Sequence, residues 1–588
     1  MVLLTMLPVG PALAQVSPTG STPVPPPIQR VDTNGVDLLS GAVTFGQAKV
    51  SIGTPQNGGL THSHEILNGI YTDENSGYIC VSAGDYKVVV GTSSEDFVSS
   101  NGAFTEANGR GGSLNYNSGS QTYSFVDRDG RVALFTGTTQ ACTLYVNNST
   151  LTQLSLPNGI VFNYTYSSAA PPPGNTVFLQ AIQSNTGYMM RYSTSSGVTS
   201  IRAINTAVDY CNASAATCPA FTQPWPAVTI QAIQSSGSGA TARTSWSVTD
   251  PLGQSLQYLI QGGQNGYCDS QHIFPRWTAA LIETKPGGGQ TTYNYGDACT
   301  TEQKQILSVT TPIGGTWTYG YATRGLSNPN PEFTGVSGPN GELRQITWIA
   351  SGIIAGNPIF DVGTDQDSLG NATNYTYDSY GRVASVTHPE GNSEQYSYDG
   401  RGNIVSETKI AKPGSALSNI IITAGYDATC TLPAKCNKPN WIKDGRGNET
   451  DFTYGLTHGG ILTEVDPADA NGIRPAKFFT YAQRYAWVTN GSGGFVHAAS
   501  PVWVLTSMIT CRTTAMNLTT GACAGGVADT VVTAYDYGPD AGLVGNNLLL
   551  RGETVTADGA TRRACFGYDV FGNKISETKP KAGLAACY

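Results

Sequence analysis

The chain has 588 residues, of which only 12% are charged, with 70 Gly and 30 Tyr. That is about half the charge of an average soluble domain and argues for strands joined by glycine turns over helices. A net charge of −9 and a pI near 5.2 exclude the basic footprint of a nucleic-acid binder, and no stretch is long and apolar enough to span a membrane.

In chain order, residues 1–14 read as a signal peptide: an apolar run followed by Ala12-x-Ala14, without a basic start. Export follows, to the extracellular space, the cell surface or the periplasm. Residues 15–30 hold Pro18, Pro23, Pro25, Pro26 and Pro27 and predict a semi-rigid spacer. Residues 31–146 predict a divergent N-terminal β domain or cap. Lys87-Val88-Val89-Val90 and Arg131-Val132-Ala133-Leu134-Phe135 read as strands, Asn108–Gly112 and Asp127–Gly130 as turns.

From about residue 147 an aromatic-x-aromatic unit recurs: Tyr164/Tyr166, Tyr293/Tyr295, Trp317/Tyr319, Tyr375/Tyr377, Tyr396/Tyr398, Phe452/Tyr454 and Phe566/Tyr568. In a strand, positions i and i+2 share a face, so each unit projects two rings one way. Neighbouring strands are then expected to set these rings side by side, and their regularity favours internal ladders over an exposed sugar-stacking surface. Most units carry an upstream glycine, among them Gly159, Gly370, Gly391 and Gly447.

In residues 361–588 the unit runs into a turn: Tyr377-Asp378-Ser379-Tyr380-Gly381-Arg382, Tyr398-Asp399-Gly400-Arg401-Gly402-Asn403 and Tyr568-Asp569-Val570-Phe571-Gly572-Asn573. Asp accepts a backbone N–H two residues on, and Gly takes φ > 0 without a Cβ penalty. Tyrosine ends one strand, Asp and Gly turn the corner, and the next strand begins. Loss of Gly381 should therefore cost more than loss of Ser379. The fold class is all-β: repetitive antiparallel β-hairpins forming a spiralling strip or shell, with degenerate repeats over 147–360.

Gly-x6-Tyr-Asp-x2-Gly-Arg/Asn resembles the YD repeat of RHS proteins, which teneurins and the shells of insecticidal toxin complexes share. The resemblance is firm from about Asp361 to Glu577 and degenerate back to about Leu151. It implies a strip of hairpins spiralling into a hollow shell that encloses toxin cargo or serves cell-surface adhesion. Cargo-bearing relatives end their repeats with Asp-Pro-x-Gly motifs, whereas here Asp250-Pro251-Leu252-Gly253 lies mid-chain. The expectation is the N-terminal part of a longer shell or a short member without cargo.

The twelve cysteines fall into near neighbours: Cys80/Cys142, Cys211/Cys218, Cys268/Cys299, Cys430/Cys436, Cys511/Cys523 and Cys565/Cys587. Local disulfides suit an exported repeat chain, although spacing alone leaves connectivity open. No CxxC zinc spacing is present. His62 and His64 are too few for a metal site, His388 lies in a turn, and Asp361, Asp365 and Asp367 read as a solvated loop. No catalytic, cofactor or metal residue is expected.

The leading reading is thus a non-enzymatic exported shell protein, in encapsulation, surface interaction or contact-dependent competition. Its partners are a C-terminal or separately encoded toxin cargo, or a cell-surface glycan or protein. A secreted carbohydrate-binding adhesin is the alternative, and a glycoside hydrolase on a β scaffold ranks last.

Overall fold

The computed structural model describes residues 23–587, apart from 26, 68–69, 74, 76, 83, 138–139, 142–148, 168–177, 232, 239–240, 263–277, 296–304, 324–330, 355–356, 543 and 546. The signal-peptide reading and Cys142, Cys268 and Cys299 lie outside the described residues.

Strand follows strand, and among the described residues no α-helix interrupts them. Thr44–Ile52, Leu60–Leu67 and Ile70–Asp73 form a small antiparallel sheet. From Ser149–Ser155 to Lys574–Thr578 the chain is one antiparallel meander in which nearly every strand pairs with the next. Among the described residues, a short hairpin, Trp487–Thr489 with Phe495–His497, loops out between paired Ala476–Arg484 and Val502–Cys511. The strand readings near Lys87 and Arg131 correspond to Asp85–Val90 and Val132–Thr136.

The local reason is the turn. Asp378 Oδ1 accepts the N–H of Tyr380 at 2.9 Å and that of Arg382 at 3.0 Å, while the backbone closes Gly381 N–H onto Asp378 O at 3.1 Å. The same pair of side-chain bonds recurs at Asp127, Asp250, Asp367, Asp399, Asp444, Asp469 and Asp569. Each carboxylate therefore satisfies two N–H groups that the hairpin corner strips of ladder partners. Gly381, Gly402 and Gly572 stand at φ 76°, 80° and 86°, a region that L side chains avoid.

The ring ladder needs correction. Tyr375 pairs across to Val386, and Val386 in turn to Glu394, so a valine strand stands between the Tyr375 and Tyr396 strands. The units occupy every second strand, which puts their rings roughly 10 Å apart. Val383, Val386 and Ile404 fill the gap, packing with Tyr396 (6% exposed), Tyr375, Tyr377 and Tyr398. The rings are internal, and on successive strands they alternate with aliphatic side chains.

The strip winds back on itself. Gln29 O accepts from Arg344, Leu38 O from Thr334, Gly109 O from Arg382 and Arg128 O from Asn437. Further along, Asn185 meets Ser500, Thr206 O accepts from Thr489, and Asn205 donates to Val570 O. The sequence separations of these bonds run from 273 to 365 residues, and from Gly109/Arg382 through Arg128/Asn437 and Asn185/Ser500 to Asn205/Val570 both sides advance together. A second circuit thus lies on the first with the same sense of travel, turn against turn.

Candidate functional site

In four of the repeats the second tyrosine follows a β-bulge, at Thr376/Tyr377, Ser397/Tyr398, Thr453/Tyr454 and Gly567/Tyr568. A bulge re-aims the side chain after it. Here it swings the ring toward the preceding strand, where the backbone ladder has run out. Tyr377 donates to Val362 O at 2.7 Å, Tyr398 to Val383 O at 2.7 Å, Tyr454 to Pro439 O at 2.8 Å and Tyr568 to Leu550 O at 2.8 Å. The hydroxyl stands in for a missing N–H. That role was not read from the sequence, yet a signal existed: the first ring varies among Tyr, Trp and Phe, whereas the second is always Tyr.

Arg382 joins three turns. Its Nε donates to Asp378 Oδ2 at 2.7 Å, and Nη1 reaches Asp399 O at 3.2 Å and Gly109 O at 3.3 Å. The guanidinium lies between Tyr380 and Tyr398, 4.9 and 4.5 Å from their ring centroids. In the next repeat Asn403 donates to Asp399 Oδ2 and to Asn437 Oδ1, and Asn573 closes onto Asp569 in the last. Gly402 lies at the seam, where a Cβ would meet Gly109 O at 2.2 Å; Gly391 faces Pro413, and Gly447 faces open space. Gly370 N–H closes its own turn onto Asp367 O.

Between the two circuits lies a cavity of about 630 Å³. The first circuit contributes Arg110 and Arg128, and the second Arg382, Tyr426, Lys438 and Tyr454, with Pro23 at the edge. Burial lowers the Lys438 ammonium to a pKa of about 8, with Asp129 opposing the shift. Behind the cavity, burial first and Glu106 second raise Glu95 to about 7, while Arg110 pulls the other way.

The remaining candidates are held by structural partners. His62 is buried edge-on to Tyr192, while the His64 side chain lies outside the described residues. His388 approaches Glu394 at 3.6 Å. Asp365 pairs with Arg344 at 2.8 Å, Asp361 accepts from Ser351 at 2.6 Å, and Asp367 caps its own turn. Asp250 of the Asp-Pro-x-Gly segment caps a hairpin in the same way. Four disulfides are described: Cys211–Cys218, Cys430–Cys436, Cys511–Cys523 and Cys565–Cys587. Asp529 lies beside the third, whose sulfurs are bonded to each other and are therefore no thiolate ligands.

Residues 377–412 match the RHS Repeat family, so the chain carries an RHS-repeat region at the centre of the hairpin series. No curated protein matches the chain. Among solved structures, TcdB2-TccC3 without its hypervariable C-terminal region is similar at 10% identity and a TM-score of 0.27, over 87% of this chain and 27% of that one. The Photorhabdus luminescens Tc holotoxin pore is similar at 10% identity and a TM-score of 0.29, over 84% and 26%. This chain thus spans about a quarter of those structures' length. At such TM-scores the overlays define no shared geometry, and the RHS assignment rests on the repeat itself.

Proposed function

We propose that the chain is an exported wall-building scaffold: a β-strip whose circuits stack into a shell that encloses or presents another protein segment. The observation that carries this reading is the seam. From Gly109/Arg382 through Arg128/Asn437 and Asn185/Ser500 to Asn205/Val570, turn meets turn with both sides advancing in the same sense. That arrangement extends a wall and leaves the side chains of the repeat committed to holding it. The four local disulfides support folding in an oxidising compartment. Toxin cargo, in this chain or encoded separately, is the partner class, and the setting is contact-dependent competition or surface presentation.

Cryo-electron microscopy of the purified chain tests this. A curved wall two circuits high around an unfilled lumen supports the scaffold, and a solid stack of sheets overturns it. A second reading, surface attachment through a glycan, is favoured by one observation: the arginine- and tyrosine-lined cavity between the circuits.

A further inference from the structure

Most arginines near the seam are neutralised locally. Arg131 pairs with Asp127, Arg344 with Asp365 and Arg382 with Asp378. Arg110 and Arg128 are different. Both are exposed at the cavity between the circuits, and neither forms an ion pair among the described residues. Arg110 donates to Ser94 O at 3.0 Å, and Arg128 reaches Asn403 Oδ1 at 3.4 Å.

The carboxyls that would neutralise them are otherwise engaged. Asp127 accepts from Arg131 at 2.5 Å and from two backbone N–H groups. Glu106 is spent on the N–H groups of Asn108 and Arg110. Glu95 is half-buried with Oε2 unbonded, and burial raises its pKa to about 7, which weakens it as a counter-charge. Asp129 lies toward Lys438, on the opposite wall. Two guanidinium forks therefore face the cavity with donors to spare, and a fork matches a carboxylate in shape and charge.

The walls select further. Tyr398 and Tyr454 spend their hydroxyls on Val383 O and Pro439 O, so their rings are fixed in orientation. Tyr426 and the buried Pro23 add flat apolar surface. Fixed flat faces beside hydrogen-bond donors suit the C–H face and hydroxyls of a sugar ring. A volume of about 630 Å³ falls within the range of small-ligand sites.

We propose that this inter-circuit cavity binds an acidic saccharide, its carboxylate on Arg110 and Arg128 and its ring against Tyr426. The proposal deepens the glycan-attachment reading and stands apart from the scaffold reading, which needs no ligand.

The test is calorimetric titration of the purified full chain with three probes: a hexuronate-containing disaccharide, a neutral disaccharide of the same size, and inorganic phosphate. The expected result is saturable binding of the hexuronate alone, weakening as salt rises. Arg110→Gln combined with Arg128→Gln should weaken it by roughly tenfold or more, without lowering the melting temperature because both side chains are exposed. Tyr426→Leu should weaken it with the salt dependence unchanged. Equal binding of the neutral disaccharide, displacement by equimolar phosphate, unaltered binding in the double arginine variant, or no saturable binding of the hexuronate would each overturn the proposal. None of these outcomes bears on the shape seen by microscopy, so the two readings fail separately.

Discussion

Gly402 meets Gly109 backbone to backbone: a Cβ on Gly402 would lie 2.2 Å from the Gly109 carbonyl oxygen. One belongs to a repeat turn of the second circuit and the other to a turn of the first, and Arg382 donates to that same oxygen. Glycine at this corner of the repeat serves two ends at once, a left-handed turn and a close seam. Gly447 occupies the equivalent place in its own turn at φ 85° with nothing within 4 Å.

Gly402→Ala should therefore melt well below Gly447→Ala. The shared cost is that of Ala at positive φ, about 1 kcal/mol. Only Gly402→Ala adds the overpacking of the seam, about 1–3 kcal/mol more. Thermal melts of the two purified variants make the comparison, and equal melting temperatures would mean that the turns do not meet.

Tyr398→Phe leaves Val383 O without its 2.7 Å donor, because the neighbouring ladder stops before that carbonyl. A loss of about 1–2 kcal/mol is expected, as for Tyr377→Phe. Tyr375→Phe should be nearly neutral, since the equivalent first ring is Phe at Phe452 and Phe566. Denaturant titration ranks the three.

The pH dependence has two arms. Burial raises the pKa of Glu95 to about 7, so its contribution is full below its unfolded value near 4.5 and is lost as pH rises through 7. The loss is at most about 3 kcal/mol. Asp427 has the opposite sign. Lys435 and Asn440 lower its pKa, so its contribution is present above about 3.8 and is lost as pH falls below that. Glu95→Gln should flatten the stability profile between pH 4.5 and 7 while leaving the acid limb unchanged, as read by melts across that range.

Cys211, Cys218, Cys430, Cys436, Cys511, Cys523, Cys565 and Cys587 should resist alkylation until the protein is reduced. Reduction should lower the melting temperature, with the bridge of separation 22, Cys565–Cys587, contributing about 3 kcal/mol. Alkylation of any of the eight in the native, oxidised protein would contradict the pairing.

The hairpin series was legible because its cause is local. Asp378 and Gly381 act within a single turn, and a short fixed spacing encodes them. The reach of the carboxylate was only half read: Asp378 accepts from Arg382 as well as from Tyr380. The ring ladder was misjudged because strand pairing interposes Val386 between Tyr375 and the next aromatic strand. The cavity was not legible at all. Arg110 and Lys438 share no spacing or motif, and only the winding of the strip brings them to one cavity.

The account rests on that winding, and a cysteine pair reads it most directly. Asn185 Nδ2 lies 3.0 Å from Ser500 Oγ, at a sequence separation of 315. Asn185→Cys with Ser500→Cys, mildly oxidised and digested, should yield a linked peptide joining the two positions, alongside the native disulfides. Native disulfides mapped intact with no such linked peptide would contradict the stacking of the second circuit on the first.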